Sequence, residues 1–122
     1  PDREIIFENK LEKNDLKIRM DANLFYRMLE NILKNSLSYT QGKITVRLTN
    51  PNHRLIITIS DEGSGISYDL IRRINEEDLT NITKHGLGIF ISKQIAELHD
   101  GAFLIANKKP GLEISFIFDH IE

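Results

Sequence analysis

The sequence predicts an α+β fold: a two-layer α/β sandwich in which about three helices cover one face of a mixed, mostly antiparallel sheet of about five strands. Two pairs of segments with alternating apolar residues are each joined by a short polar turn, as in β-hairpins. Segments with apolar residues at helical spacing separate these pairs. The length of 122 residues and the hydrophobic content of 40% fit one domain over 1–122. Hairpins mixed with separated helices favour a sheet with helices packed on one side.

The first third of the chain predicts two short strands and a long helix. The strands cover 3–8 and 16–20, with a polar turn at 12–15 between them. The helix covers 22–39, and Asp21 is its predicted N-cap. One broad apolar stripe on this helix is formed by Leu24, Phe25, Met28, Leu29, Ile32 and Leu33.

The rest of the chain alternates between strand and helix patterns. The turns at 50–53 and 109–111 each join two alternating segments, which predicts two hairpins. The predicted strands are 43–49, 54–60, 102–107 and 112–118, the helices are 67–75 and 87–98, and a polar, acidic connection covers 75–85. We expect the last helix to bury Leu87, Phe90, Ile91, Ile95 and Leu98.

Composition excludes several functions. A formal charge of −2 provides no overall basic field for nucleic acid or an anionic membrane. The absence of cysteine excludes disulfides and thiolate metal sites. No apolar run approaches the roughly 18–20 residues that span a bilayer. Because the chain begins with Pro1, we expect a fragment of a longer protein.

Asn31 and Asn35 are four residues apart at the edge of the apolar stripe. On a helix they fall within about 40° of each other. An asparagine oxygen can ligate Mg²⁺, and its amide can donate to phosphate. Asparagine is a poor helix former, so two at a core boundary need a reason. The alternative is a pair of exposed helical asparagines without function.

The segment 61–66, Asp-Glu-Gly-Ser-Gly-Ile, follows a predicted strand. Asp61 at the strand end can accept a hydrogen bond from an exocyclic amine such as that of adenine. Gly63 and Gly65 permit positive φ and close approach to a planar ligand. An ordinary turn that ends a strand is an equally good interpretation of these residue types.

The segment 84–88, Lys-His-Gly-Leu-Gly, leads into the last predicted helix. Glycines at a helix N-terminus leave backbone N–H groups available to phosphate, and Lys84 can add a positive charge. His85 borders this loop and is either a nucleotide contact or an ordinary loop histidine. The spacing matches neither the P-loop nor the dinucleotide fingerprint. The alternative is a glycine-containing loop before an amphipathic helix.

In this order, the three motifs resemble those of the GHKL superfamily, most closely the ATP-binding catalytic domain of sensor histidine kinases (HATPase_c). Segment 31–39 is similar to the N box, 61–66 to the D-x-G-x-G box, and 86–89 to the second glycine box. The flanking segments 21–29 and 92–101 are similar as well, so the resemblance covers nearly the whole chain.

The resemblance implies a sandwich that holds ATP and Mg²⁺ under a mobile lid. By resemblance, Asn35 ligates Mg²⁺, Asn31 contacts phosphate, and Asp61 reads the adenine amine. Asn31 and Asn35 are the expected catalytic residues. The residues expected at the nucleotide are Asn31, Asn35, Tyr39, Asp61, Gly63, Gly65, Ile66, Lys84, His85, Gly86, Leu87 and Gly88.

The sequence departs from the family pattern in four places. Ser38 stands where the N box often has a lysine, so Lys84 or Lys34 is expected to compensate. Lys84 stands where the second glycine box usually has another glycine. No phenylalanine lies between Gly65 and Gly86, so the aromatic box of many histidine kinases is absent. The expected lid, at about 75–85, is short and acidic.

The residue four positions before Asn35 separates the enzyme classes. ATP-hydrolysing relatives and anti-sigma serine kinases have a glutamate there as general base, whereas this chain has Asn31, which cannot take a proton. Glu30 is one position off, about 100° around the helix. A histidine acceptor needs less help from a base because it has a lone pair near neutral pH. The sequence therefore favours phosphoryl transfer to histidine.

The acceptor is expected outside this chain, because none of its four histidines lies in an H-[ED]-x-[KR] pattern: His53, His85, His99 and His120. The resemblance implies two partners, a histidine-bearing dimerisation domain of the same protein and a response regulator. It also implies a cytoplasmic domain of a membrane-bound bacterial sensor kinase, dimeric as a whole and monomeric as this fragment. The alternatives are an anti-sigma-type serine kinase or GHKL ATPase, and a nucleotide-binding module with weak or no catalysis.

Overall fold

The computed structural model describes residues 4–12 and 17–119. Within these ranges a five-stranded sheet has the order β1-β2-β3-β5-β4, in which β1 and β2 are parallel and every other pair is antiparallel. The elements are β1 (Ile5–Asn9), α1 (Ala22–Tyr39), β2 (Ile44–Thr49), a 3₁₀ turn (Pro51–His53), β3 (Leu55–Asp61), α2 (Tyr68–Glu76), α3 (Lys84–Leu98), β4 (Ala102–Asn107) and β5 (Leu112–Phe118). The predicted class, a mostly antiparallel sheet with helices on one face, is confirmed.

The core lies between the helices and one face of the sheet. Alternate residues of β3 and β5 point to the helices, because side chains of a strand face opposite sides in turn. Burying one such side chain contributes about 1.5–3 kcal/mol. The residues that are at most 2% exposed include Met28 and Ile32 from α1, Ile57 and Ile59 from β3, and Ile114, Phe116 and Phe118 from β5.

Helix α1 has the predicted bounds and the predicted cap. The Asp21 carboxylate accepts a hydrogen bond from the Leu24 N–H at 3.0 Å, which satisfies one of the free donors of the first turn. The helix packs closely against α3, where the Ser92 hydroxyl donates to the Met28 carbonyl at 2.8 Å. Both hairpins and α2 also lie within one residue of their predicted bounds.

The predicted strand at 16–20 is wrong for 17–20, which form no strand, while residue 16 lies outside the described residues. The first strand, β1, pairs in parallel with β2. Ile18 and Met20 nevertheless pack on the core, with exposed residues beside them. The alternating pattern thus predicted burial correctly and hydrogen bonding incorrectly. Residue 3 of the first predicted strand and residues 13–15 of the turn lie outside the described residues.

Helix α3 begins at Lys84, three residues before the predicted start. The Thr83 hydroxyl accepts from the Gly86 N–H at 3.0 Å, and the Thr83 carbonyl accepts from the Leu87 N–H at 2.9 Å. This cap sustains a first turn that contains glycine. The polar connection is accordingly shorter, 77–83.

The buried face of α3 also differs from the prediction. Leu87 and Leu98 are 41% and 69% exposed. Small residues bring α3 close to its neighbours, so the buried face is centred on Gly86, Ile89, Ser92, Ile95 and Ala96. Of the helices in the described part of the chain, none has the length and apolar character needed to cross a membrane.

Candidate functional site

A pocket lies between α1, the first turns of α3 and the turn that follows β3. Its inner part, the inner cleft, is lined by Ile32, Asn35, Ser36, Tyr39, Asp61, Gly63, Ser64, Gly65, Ile66, His85, Ile89, Leu112 and Ile114. Its outer part, the outer groove, runs between α1 and α3 and is lined by Asn31, Lys34, Asn35, Ser38, Tyr39, Lys84, His85, Leu87, Gly88 and Ile91.

The fold brings the predicted site residues together with one exception. The inner cleft contains Asn35, Tyr39, Asp61, Gly63, Gly65, Ile66 and His85, and the outer groove adds Asn31, Lys84, Leu87 and Gly88. Gly86 lines neither part and is buried. A side chain there would meet Leu70 and Ile82, because a Cβ atom on Gly86 would lie 2.8 Å from the Leu70 Cδ1 and 2.9 Å from the Ile82 Cγ1.

Asp61 is the carboxylate at the floor of the inner cleft, and it is 8% exposed. Its Oδ1 accepts the N–H of Gly63 at 3.0 Å and the N–H of Leu112 at 3.3 Å. Its Oδ2 accepts the hydroxyl of Ser36 at 3.3 Å. A carboxylate has about four acceptor positions, so Oδ2 can still accept a hydrogen bond from a ligand. The three donors fix the direction in which it does so.

The turn 63–66 forms one wall of the inner cleft. Gly65 has φ +76°, in the left-handed region that favours glycine. A Cβ atom on Gly63 would lie 3.0 Å from the Thr40 Cβ, so the turn passes close to the end of α1. The wall therefore presents backbone to the cleft at short range, as a flat ligand requires.

Asn35 connects α1 to the first turn of α3. Its Nδ2 donates to the His85 carbonyl at 3.5 Å, and a Cβ atom on Gly88 would lie 3.2 Å from the same nitrogen. The residue is partly buried and lines both parts of the pocket. Asn31, one turn earlier, lines the outer groove but not the inner cleft.

Tyr39 and His85 stack across the pocket, with ring centroids 4.0 Å apart and an angle of 9° between the rings. Both rings line both parts of the pocket, so the stack stands at the boundary between them. Burial lowers the pKa of His85 below its ordinary value, and the nearby charge of Asp61 opposes this in part. The imidazole is therefore neutral near pH 7.

The first turn of α3 holds the backbone groups that were expected to bind phosphate. The N–H groups of Gly86 and Leu87 are bonded to Thr83, within the helix cap. A phosphate contact through them requires this turn to open. The helix N-terminus and the side chain of Lys84 still supply positive potential to the outer groove.

Within residues 4–12 and 17–119, no group of three or more histidine or acidic side chains is arranged to hold a metal ion. Mg²⁺ usually keeps several waters and binds one or two protein oxygens together with phosphate. One asparagine oxygen beside the outer groove fits this chemistry. Asn35 is thus a suitable ligand for a metal ion that a phosphate group in the groove would also coordinate.

Among the residues that sequence reasoning missed are Ser36 and Leu112, which contribute polar groups to the cleft, and Asn107, which supports it. Ser36 could have been found, since it follows Met28 and Ile32 at intervals of four on the buried face of α1. Leu112 contributes its backbone N–H, which leaves no trace in the sequence. Asn107 bonds to the backbone of Ile66 from 41 residues away, a contact that only the fold creates.

A carboxylate held at a strand end, opposite an asparagine-bearing helix and between two glycine-containing turns, defines a nucleotide-binding sandwich of the ATPase and kinase class. The comparison with family models agrees. The model described as histidine kinase-, DNA gyrase B-, and HSP90-like ATPase matches residues 20–121, and the chain belongs to this family.

Its curated relatives include sensor and sporulation kinases. The chain is 30% identical over 118 residues to sporulation kinase A of Bacillus subtilis, covering 92% of the chain and 20% of that protein. It is 28% identical over 111 residues to the sensor histidine kinase CssS of the same species, covering 90% of the chain and 24% of that protein. The chain thus spans less than a quarter of the length of these relatives.

Solved structures share the fold. A mycobacterial sensor histidine kinase, MprB, superimposes with a TM-score of 0.74 at 24% identity, covering 93% of this chain and 80% of that one. The catalytic domain of the histidine kinase ThkA superimposes with a TM-score of 0.77 at 23% identity, covering 93% and 79%.

Proposed function

We propose that this domain binds ATP with Mg²⁺ and transfers the γ-phosphate to a histidine on a dimerisation domain of the same protein, which then phosphorylates a response regulator. The observation that carries the proposal is that Asp61 and Asn35 line one cleft, with the glycine-containing turns beside them. The family membership and the sensor kinases among the relatives support it.

At the inner end, the geometry suits adenine. The fixed Oδ2 of Asp61 can accept the 6-amine of the base, and the apolar side chains of Ile32, Ile89 and Ile114 line the same cleft. The backbone wall at 63–66 can border the ring. Asp61 is therefore the residue that we expect to distinguish adenine from bases without that amine.

At the outer end, the geometry suits a triphosphate. Asn35 would ligate Mg²⁺, and Asn31, on the same groove, would contact phosphate oxygens. Lys34 and Lys84 line this groove as well. They can supply the positive charge that a lysine of the N box supplies in other family members and that Ser38 lacks here. Bound Mg²⁺ would neutralise charge that develops during transfer, while these side chains position the nucleotide.

Two observations favour transfer to histidine over hydrolysis or a serine kinase. Asn31 has no basic oxygen with which to activate water or a hydroxyl. Glu30, the nearest carboxylate on α1, pairs with Lys34 at 3.6 Å instead of facing Asn35. A neutral imidazole needs no such base.

The acceptor is proposed to lie on another domain. His85 is stacked on Tyr39, and His99 is held between the Ile95 carbonyl and the Asp21 N–H, at 2.8 and 3.1 Å. His99 does not line the outer groove, and His85, which does, is stacked on Tyr39 beside the proposed nucleotide site. We therefore propose a histidine-bearing partner domain, a dimeric parent protein and a cytoplasmic position beneath a membrane sensor.

The test is calorimetric titration of the domain with ADP and ATP, with and without Mg²⁺. Asp61→Asn should weaken ADP binding roughly 10- to 150-fold, because a hydrogen bond to a charged group contributes about 1.5–3 kcal/mol. Asn35→Ala should abolish the gain in ATP affinity that Mg²⁺ provides. The exposed residues Asp100 and Asn75 offer matched controls, Asp100→Asn and Asn75→Ala, which should leave binding unchanged.

Absence of binding by the unmodified domain would contradict the proposal. Transfer needs a separate test, in which the domain and Mg-ATP are added to the histidine-bearing domain of the parent protein. Phosphohistidine should form, and Asn35→Ala should prevent it. Release of phosphate by the domain alone at a comparable rate would favour the ATPase alternative.

A further inference from the structure

We propose that Asn107 is a positioning residue for the inner cleft, the part of the pocket where the base is proposed to bind (the base end). It sets how strongly the site selects adenine over other bases. Asn107 is the last residue of β4, an edge strand of the sheet, and it does not line the pocket. The inference rests on the proposed function, since it concerns how the same site recognises its nucleotide.

The side-chain amide of Asn107 binds both backbone groups of one residue in the pocket wall. Its Oδ1 accepts the Ile66 N–H at 2.9 Å, and its Nδ2 donates to the Ile66 carbonyl at 2.6 Å. Such a pair acts like one rung of a β-ladder, because it fixes both the position and the rotation of the peptide. Both residues are partly buried, so water competes less for these bonds.

Two glycines allow the β4–β5 turn to lie against the pocket wall. A Cβ atom on Gly65 would lie 2.4 Å from the Asn107 Oδ1. Gly111 has φ +106°, and a Cβ atom there would lie 1.8 Å from the Asp61 carbonyl oxygen. The turn that carries Gly111 is thus in direct contact with both the end of β3 and the segment after it.

The β4–β5 hairpin therefore fixes two elements of the base end relative to each other. Leu112, the residue opposite Asn107 in the ladder, donates its N–H to the Asp61 carboxylate. Asn107 holds Ile66 from the neighbouring strand. Without Asn107, the Gly63 end of the wall stays bonded to Asp61, while the Ile66 end loses two hydrogen bonds, so the spacing between the carboxylate and Ile66 is less firmly fixed.

This spacing matters for selection between purines. Adenine offers an amine at position 6, which donates to Asp61, whereas hypoxanthine offers an oxygen, which the carboxylate repels. The 6-amine forms its hydrogen bond only when the wall holds the ring at hydrogen-bond distance from the Asp61 carboxylate. A loose wall should therefore lower the affinity for adenine more than the affinity for hypoxanthine.

The test compares ADP with inosine diphosphate, whose base has an oxygen in place of the 6-amine and a proton on N1, by competition with a fluorescent ADP analogue. In Asn107→Ala, ADP affinity should fall about tenfold, as expected for two lost hydrogen bonds, and inosine diphosphate affinity should fall less than about threefold. Asn9→Ala is the matched control. Asn9 ends the other edge strand and accepts from the Leu11 N–H at 3.1 Å, remote from the pocket, and its loss should change neither affinity.

A second variant keeps the test valid if Asn107→Ala does not fold. Asn107→Asp has the same size and retains the acceptor for the Ile66 N–H, but it places an oxygen against the Ile66 carbonyl. It should also lose ADP affinity selectively. Amide exchange without nucleotide gives an independent measurement: in Asn107→Ala, exchange at Ile66 should accelerate at least about tenfold, and exchange at Leu112 should not change.

Three results would overturn the inference. Equal losses for ADP and inosine diphosphate would indicate a purely structural role. Unchanged ADP affinity in a folded variant would indicate no role at the site. Failure of the unmodified domain to bind ADP would refute the proposed function and this inference with it, and it is recognisable because no substitution is involved.

Discussion

The inner cleft, which is the proposed base end of the pocket, and the outer groove, which is the proposed phosphate end, differ in how far they are ordered for a ligand. At the base end, three donors orient the Asp61 carboxylate, and Asn107 fixes the wall opposite. At the phosphate end, which is the outer groove, the groups that we propose contact the nucleotide are hydrogen-bonded to other groups of the protein. The Asn35 amide is directed at the His85 carbonyl, and the Gly86 N–H is bonded to Thr83.

The sheet thus holds Asp61 and the wall beside it, whereas the outer groove is bordered by a helix terminus whose first turn would have to open for the proposed phosphate contact. Strand ladders join β3 to β5 and β5 to β4 in the free protein. The first turn of α3 depends on one cap and one ring stack, each worth about 1 kcal/mol. A triphosphate with its metal can displace contacts of that size.

The largest expected effect comes from disrupting the base end. In Gly111→Ala, the new Cβ atom would collide with the Asp61 carbonyl, and φ of +106° is strained for alanine. Unfolding free energy should fall by at least about 3 kcal/mol, measured by urea denaturation. The matched control is Gly42→Ala, where φ lies outside the left-handed region and the nearest atom, the Glu62 Cβ, is 3.0 Å away. A loss below about 1 kcal/mol in Gly111→Ala would contradict the tight docking of this turn.

A smaller effect is expected from removing the cap at the phosphate end. Thr83→Ala should cost about 1 kcal/mol of stability, since it leaves the Gly86 N–H without its hydroxyl partner. Because the turn must open for phosphate to reach that group, affinity for ATP should not fall and should rise up to about fivefold. Scanning calorimetry measures the change in stability, and titration calorimetry measures the change in ATP affinity. Ser67→Ala, which removes the equivalent cap of α2, is the control and should leave ATP affinity unchanged. A large loss of ATP affinity in Thr83→Ala alone would mean that the capped turn is the binding conformation.

The smallest expected effect is a dependence of stability on pH through His85. Its pKa is lowered in the folded chain, so the unfolded chain binds more protons as pH falls below about 6.5. The contribution of neutral His85 to the free energy of unfolding is therefore fully present above about pH 6.5 and is lost as the pH falls. Unfolding free energies at pH 7 and pH 5 should differ more for the unmodified chain than for His85→Gln. An equal difference in both chains would show that His85 is not held neutral by its surroundings.

Sequence reasoning was most successful where local patterns determine structure. The helix over α1, its Asp21 cap and both hairpins follow from spacing and turn residues within a few positions. The motifs at 61–66 and 84–88 lie around one pocket, as the resemblance implies. Each of these features can be identified within one short stretch of chain.

The failures involve relations between distant segments. Alternation at 17–20 could not reveal that β1 takes the parallel position beside β2. The buried face of α3 was misjudged because Ser92 and Ala96 contribute close packing rather than apolar area. Asn107 is separated from Ile66 by a helix-rich segment, so its pairing exists only in the folded chain.

We propose that ATP meets a preformed inner cleft and opens the first turn of α3 beside the outer groove. Residue-resolved amide exchange, with and without Mg-ATP, distinguishes these two regions. The N–H groups of Gly63 and Leu112, bonded to Asp61 in the free protein, should already be protected and change less than about threefold on binding. Exchange at Gly86 and Leu87 should change by at least about tenfold as the first turn of α3 is rebuilt around phosphate. The opposite pattern, with Gly63 and Leu112 becoming protected only on binding and the turn unchanged, would contradict the account.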